Sequence, residues 1–240
     1  MKKGQKICVV IPCFKVRYSI EKVIKKINFK LVNKVIVVDD CCPEKTASYL
    51  AQKKLKNVII LKNRKNLGVG GATLRGFKKA IQMKFDIIFK IDGDNQHEPK
   101  DIKKFIKLLK KSEVNFCKGT RFKSLSEKKK IPYVRLMGNI VLTFLSKINC
   151  RYGNLTDVVN GFIGIKIGLL RKLNFDEISK DFFFEEDLLF RISLIEKKIY
   201  ELPIKTIYYN ESNLNPLKTI IPFIYKHFKN FFIRLKYDFF

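Results

Sequence analysis

The chain has 240 residues, 46% of them hydrophobic and 30% charged, and 50 basic against 22 acidic side chains give it a net charge of +28. This is the composition of a globular chain long enough to bury a core of several helices and strands, which excludes a disordered or fibrous protein. No run approaches the roughly 18 consecutive apolar residues of a spanning helix. The basic start Met1–Lys6 is followed by only Ile7 to Ile11 before Pro12, too short for a signal-peptide core, so a cytoplasmic location is expected.

In chain order, strands are expected at Ile7–Ile11, Val35–Val38, Val58–Leu61 and Ile87–Ile91. Between them Ile20, Val23, Ile24 and Ile27, then Leu74, Phe77 and Ile81, then Ile102, Phe105, Ile106 and Leu109 recur at helical spacing. Strand and helix alternate in this way in βαβ units, so a mostly parallel sheet flanked by helices is expected. From about Glu113 the pattern becomes a short strand at Asn115–Lys118, a basic loop, a helix at Val134–Ile148, a strand at Phe162–Lys166 and a helix at Leu188–Lys197 preceded by Glu185, Glu186 and Asp187. Beyond Pro216, Leu217, Ile221, Ile224, Phe228, Phe231 and Leu235 repeat among Lys218, Lys226, Lys229, Arg234 and Lys236, the pattern of a basic amphipathic helix bent at Pro222. We divide the chain into a catalytic domain, 1–212, with a donor half to about 118 and an acceptor half after it, and a C-terminal helix, 213–240.

Ligands of open α/β sheets sit beyond the carboxyl ends of the strands. There the sequence places Pro12, Cys13 and Phe14, then Asp39 and Asp40, then Asn63 to Gly68, then Asp92 to Gln96. Asp92 and Asp94, one residue apart across Gly93, can both face one hard cation, which can also take diphosphate oxygens; the alternative is a solvated acidic turn. Asp39 and Asp40 suit a ribose or base N–H, and one of them equally suits capping a helix that starts near Glu44. Asn66 to Gly71 is glycine-rich at a strand-to-helix turn but lacks the lysine and serine of a Walker loop. The six cysteines, at 8, 13, 41, 42, 117 and 150, show no metal-ligand spacing and read as reduced and structural.

Taken in order, Val9-Val10-Ile11-Pro12-Cys13-Phe14, Ile36 to Asp40, Asn66-Leu67-Gly68 with Ala72 and Gly76, Ile91 to Pro99, and Gly119-Thr120-Arg121-Phe122 resemble family 2 glycosyltransferases, most nearly the polyprenyl-phosphate (dolichyl-phosphate mannose synthase-like) hexosyltransferases. The resemblance spans about residues 7 to 210. It implies a GT-A type fold, with Pro12, Cys13, Phe14, Asp39, Asp40, Gly68 and Asp92 at the nucleotide sugar and Asp92, Asp94 and Gln96 on Mg²⁺ or Mn²⁺. It further implies Asp94, Arg121 and Arg135 in catalysis, Asp157, Asn160 and Gly161 on the acceptor side, and direct displacement with inversion. Phe14-Lys15-Val16 departs from the family's usual Tyr-Asn-Glu, and the membrane helices frequent in this branch are replaced by the basic amphipathic tail.

Two acceptors remain open. A polyprenyl phosphate is already ionised and needs no base, and the tail's lysines and aromatics would then bring the domain to an anionic membrane, at the inner face of the plasma membrane. A glycan hydroxyl would need one, for which Asp187 is the candidate. The tail packing its apolar stripe on the domain is the alternative to membrane contact. The charge also fits nucleic acid or a lysine-rich bias, but the carboxylates Asp39, Asp40, Asp92 and Asp94 on a binding face would repel phosphate unless metal intervenes, so no nucleic acid partner is expected.

Overall fold

A computed structural model describes residues 4–123, 126, 131–207 and 216–239, the side chains of 216–220 excepted. The strands are β1 (Ile7–Cys13), β2 (Lys34–Asp39), β3 (Val58–Lys62), β4 (Ile87–Lys90), β5 (Phe116–Thr120), β6 (Ile163–Lys166) and β7 (Tyr200–Pro203). The helices are α1 (Arg17–Lys26), α2 (Thr46–Gln52), α3 (Gly68–Gln82), α4 (Ile102–Leu109), α5 (Tyr133–Cys150), α6 (Ile167–Leu170), α7 (Phe184–Ser193) and α8 (Pro216–Phe239).

One seven-stranded sheet runs β3-β2-β1-β4-β6-β5-β7. β1 pairs in parallel with β2 and β4, β2 with β3, and β5 with β7. β6 is antiparallel to both of its neighbours, so it alone runs against the rest. Buried on both faces, the strands carry apolar side chains at successive positions. Cys8 and Val10 of β1 face a core shared with α3 and α7, while Ile7, Val9, Ile11 and Cys13 face one shared with α1 and α4.

Several boundaries differ from the sequence reading. β1 continues through Cys13, where its ladder ends opposite Asp39, so Pro12 and Cys13 belong to the strand and Phe14 is the first residue beyond it. β7 has no counterpart in the expected elements: Tyr-Glu-Leu-Pro is short and mixed, and only pairing beside β5 makes it a strand. The α7 helix begins at Phe184 and ends at Ser193, which puts Glu185, Glu186 and Asp187 inside its first turn, where carboxylates favour the N-terminal dipole, and not ahead of it. The proposed boundary at 212/213 lies outside the described residues.

The α5 and α8 helices invert ordinary amphipathy. The buried residues of α5 are Asn139, Thr143, Ser146, Asn149 and Cys150, and those of α8 are Phe223, His227, Asn230 and Arg234. The expected apolar stripe of α8 is therefore not its core face: Ile221 and Phe228 are exposed, and Ile224, Phe231 and Leu235 are half-buried. Arg234, expected among the outward basic residues, is buried instead. No described helix is long and apolar enough to cross a membrane.

Candidate active site

The order β2-β1-β4 puts a topological switch between β1 and β4, because the chain first builds outward from β1 through β2 and β3 and then returns to its other side. Crevices at such points hold ligands in doubly wound sheets. Here Cys13 closes one wall and Asp92 the other, and a Cβ placed on Gly93 would stand 3.4 Å from the Cys13 sulfur. Burial pushes the Cys13 thiol well up, aided by Asp39, so it is a neutral wall of the crevice. Phe14, just beyond, is 37% exposed and offers a ring face at the rim.

The two carboxylates ending β2 do different work. Asp39 accepts hydrogen bonds from the backbone N–H of Cys42 (2.7 Å) and of Ala47 (2.6 Å), the latter in the first turn of α2. It thus takes the capping role foreseen for one of the pair. Asp40 accepts from Asn63 Nδ2 (2.5 Å) and Leu67 N–H (2.9 Å), fixing the loop that leads into α3. Gly68 has φ of +79°, and a Cβ there would collide with the Lys180 carbonyl oxygen. Gly71 N–H donates to that same oxygen at 3.0 Å. The glycine-rich turn therefore receives the Ser179–Lys180 backbone.

Asp92 and Asp94 flank the mouth of the crevice, both half-buried. Asp92 Oδ1 lies 2.6 Å from Lys90 Nζ, and the same ammonium lies 2.6 Å from Glu185 Oε1 on α7. Burial alone would raise the Asp92 carboxyl, but Lys90, through its charge and its hydrogen bond, together with the other basic neighbours holds the group below its usual range. His97, 3.6 Å from Asp92 Oδ2, is pushed down to about 4 by burial and is neutral at pH 7, so the cation stabilising Asp92 is Lys90. Asp94 is raised to about 6 by burial and then by the charge of Asp92. Its Oδ1 accepts from Gln96 N–H at 2.9 Å, while Gln96 itself is half-buried beside it. Gly161 fits against this group: an added Cβ would stand 2.6 Å from Asp92 Oδ2 and would strike Lys90 Nζ.

Behind the mouth, Arg121 and Asp157 form a forked pair. Nε and Nη2 of Arg121 each donate at 2.7 Å, to Oδ2 and Oδ1, and the Arg121 N–H adds a bond of 3.0 Å. Asn139 of α5 donates to Asp157 Oδ1 at 2.8 Å, and the buried Lys118 ammonium donates to the Asp157 carbonyl. Burial would raise the Asp157 carboxyl, yet these partners bring it down to about 2. Asn160, buried beside them, accepts from Phe162 N–H at 2.9 Å and turns the chain into β6. The side chain of Arg135, half-buried on α5, makes no hydrogen bond or ion pair among the described residues. Asp187 accepts from Ser179 N–H (2.7 Å) and from Asn230 Nδ2 of α8 (3.3 Å).

The structure therefore brings Gly93, between Asp92 and Asp94, beside Cys13, sets Gly161 against Asp92, and joins Arg121 to Asp157. Glu185 and Lys90 were missed as site residues. Lysine at the end of a buried strand is itself the signal, since such a charge demands a partner.

The sequence profile of Glycosyl transferase family 2 matches residues 8–173, more than half of the chain. The chain belongs to glycosyltransferase family 2. The glycosyltransferase is 29% identical over 233 residues to the UDP-N-acetylglucosamine–dolichyl-phosphate N-acetylglucosaminyltransferase of Methanococcus voltae, covering 90% of this chain and 92% of the relative. It is 27% identical over 173 residues to the undecaprenyl-phosphate mannosyltransferase of Micrococcus luteus, covering 71% and 70%. Its fold is similar to that of glucosyl-3-phosphoglycerate synthase from Mycobacterium tuberculosis, solved in complex with Mn²⁺, UDP and phosphoglyceric acid (TM-score 0.69, 16% identity, 96% of this chain and 78% of that one). The GT-A type sheet expected from the sequence is thereby established.

Proposed function

We propose that this glycosyltransferase moves a hexose from a nucleoside-diphosphate sugar to a polyprenyl phosphate, using Mg²⁺ or Mn²⁺ and inverting the anomeric centre. The observation that carries the donor half of this reading is the pair of half-buried carboxylates at the switch-point crevice. Their oxygens are the hard donors such an ion takes. The Asp94 group is raised to about 6 by burial and the charge of Asp92, a strain that a bound cation would relieve. Asp92, Asp94 and Gln96 would hold the metal, which would neutralise charge on the diphosphate.

Pro12, Cys13 and Phe14 would line the base and ribose, with Asp40 and the Gly68 turn beside them and Asp39 shaping the loop from below. Arg121 is held in place by Asp157, and Arg135 stands on the adjoining helix; as positive groups they would stabilise the leaving diphosphate and the acceptor phosphate. Asp157, Asn160 and Gly161 would form the acceptor wall. A phosphate acceptor needs no general base. That agrees with an Asp187 carboxylate already occupied by Ser179 and Asn230.

The lipid acceptor draws support from the two relatives named for polyprenyl-phosphate substrates and from the outward faces of α5 and α8. On α5, Tyr133, Met137, Ile140, Phe144 and Ile148 follow one another at helical spacing and are all exposed. On α8, Ile221, Tyr225, Phe228 and Phe232 do the same, with Lys229 and Lys236 exposed on the same helix. Apolar side chains at the lipid boundary and lysines at the headgroups suit peripheral contact with an anionic membrane.

The test is release of nucleoside diphosphate from a panel of UDP- and GDP-sugars, with and without polyprenyl phosphate, comparing wild type with Asp94→Ala. Metal-dependent release that requires the lipid and disappears in the variant is expected. Turnover with an oligosaccharide but not with the lipid phosphate would transfer the reading to a glycan hydroxyl.

A further inference from the structure

The Lys90 ammonium is shared between two carboxylates from opposite halves of the chain. Lys90 ends β4 and is 1% exposed, and its Nζ lies 2.6 Å from Asp92 Oδ1 and 2.6 Å from Glu185 Oε1. The Asp92 side chain is 31% exposed. The ammonium thus lies beneath Asp92, on the protein side, and leaves the solvent side of that carboxylate open. Glu185 approaches from the first turn of α7, its side chain 11% exposed.

Charge counting decides what Glu185 contributes. A lone Lys90–Asp92 pair is neutral, so a divalent cation would gain little from Asp92 and would meet a fixed ammonium 2.6 Å from its ligand. With Glu185 present the trio carries one net negative charge, and the ammonium has a second acceptor that holds it back from Asp92. We propose that Glu185 is a positioning residue for the donor metal: through Lys90 it fixes the orientation of Asp92 and keeps that carboxylate available to a divalent cation. The inference rests on the metal reading of Asp92 and Asp94. Partners standing one shell behind a metal ligand govern affinity in this manner, and their loss typically weakens binding about 10- to 100-fold.

The experiment titrates the full chain with Mn²⁺ in the presence of UDP, following free Mn²⁺ by electron paramagnetic resonance, alongside thermal unfolding of each variant. Glu185→Gln is expected to weaken Mn²⁺ binding by about tenfold or more, and Glu185→Asp to recover part of the loss. Glu177→Gln removes an equal charge from an exposed carboxylate that lies ahead of α7 and pairs with Arg191 on it, and is expected to leave Mn²⁺ affinity unchanged. An affinity within twofold of wild type in folded Glu185→Gln, whatever its melting temperature, would overturn the proposal and reduce the trio to a staple between β4 and α7. Should Glu185→Gln fail to fold, Glu185→Asp decides alone: wild-type affinity overturns the proposal and a weakened one supports it. Wild-type chain that binds no Mn²⁺, or binding that survives Asp94→Ala, would instead remove the metal reading and this inference with it.

Discussion

Replacing Asp157 by asparagine should destabilise the protein in a way that depends on pH. The carboxylate is fully buried and receives two bonds from the Arg121 side chain, one from the Arg121 N–H and one from Asn139. Asparagine keeps the shape but turns one acceptor oxygen into a donor that must face Arg121 or Asn139, so the largely buried guanidinium loses the charge of Asp157. Breaking a buried pair from one side costs about 3–5 kcal/mol. The carboxyl itself is lowered from 3.8 to about 2, which linkage converts to roughly 2–3 kcal/mol of stability. Because the folded value is depressed, that stability is present above pH 4 and is lost as pH falls through 2. Urea unfolding at pH 7 should therefore place Asp157→Asn about 3 kcal/mol below wild type with the same m value, near 10 °C in melting temperature at this chain length. The gap should narrow as pH drops from 5 towards 2.5. A variant within 1 kcal/mol of wild type at pH 7, or a gap that ignores pH, would refute the assignment of Asp157 as the buried anchor of Arg121.

Four further outcomes are expected. In the metal-free protein Asp94 is raised to about 6, so its ionisation costs stability as pH climbs from 4 through 6; Asp94→Asn should be about 1–3 kcal/mol more stable than wild type at pH 7 without metal, yet bind Mn²⁺ far more weakly, as paired denaturation and Mn²⁺ titrations would reveal. The same shift predicts that wild-type Mn²⁺ affinity rises with pH up to about 6 and levels off above 7, a profile read by titration in buffers from pH 5 to 8. Gly161→Val should abolish Mn²⁺ binding and sugar transfer, because its side chain takes the space of Asp92 Oδ2 and Lys90 Nζ; wild-type binding in that variant would separate Gly161 from the site. Phe228→Ser combined with Phe232→Ser should release the chain from anionic vesicles at low salt in a sedimentation assay while leaving the melting temperature within a few degrees, since both rings are exposed.

Much of the donor half was legible because its signals are local. Buried β-branched runs, helical periodicity in α1, α3 and α4, and polar residues at strand ends follow directly from the alternation of elements. β7 was not, because Tyr200–Pro203 has no pattern of its own and exists by virtue of β5. The helical spacing of α5 and α8 was readable, but which face turned inward was not: periodicity identifies a stripe, and only packing reveals that Asn139, Asn149, His227 and Asn230 form the inner one. Asp92 and Asp94 could be named from their spacing, whereas their contrasting electrostatics come from packing: Lys90 beside Asp92, and burial with the Asp92 charge at Asp94; Glu185, which shares that Lys90 ammonium, is 93 positions along the chain from Asp92. Asp39 and Asp40 looked equivalent in sequence and diverge only through the loops each one holds.

The polar seam beneath α8 bears on how the protein behaves when that helix is cut away. His227 meets Glu186 at 2.6 Å, Asn149 donates to the His227 carbonyl at 3.0 Å, and Arg234 Nε donates to the Asn149 carbonyl at 2.9 Å. Removing a tail held by grease would expose a sticky patch and promote aggregation. Removing this one uncovers hydrogen-bonding groups that water can satisfy, and at the same time deletes the aromatic side chains that face outward. A chain shortened before α8 would then be easier to keep in solution than the full chain and easier to unfold, so yield in a soluble fraction would be a misleading guide to the integrity of the enzyme.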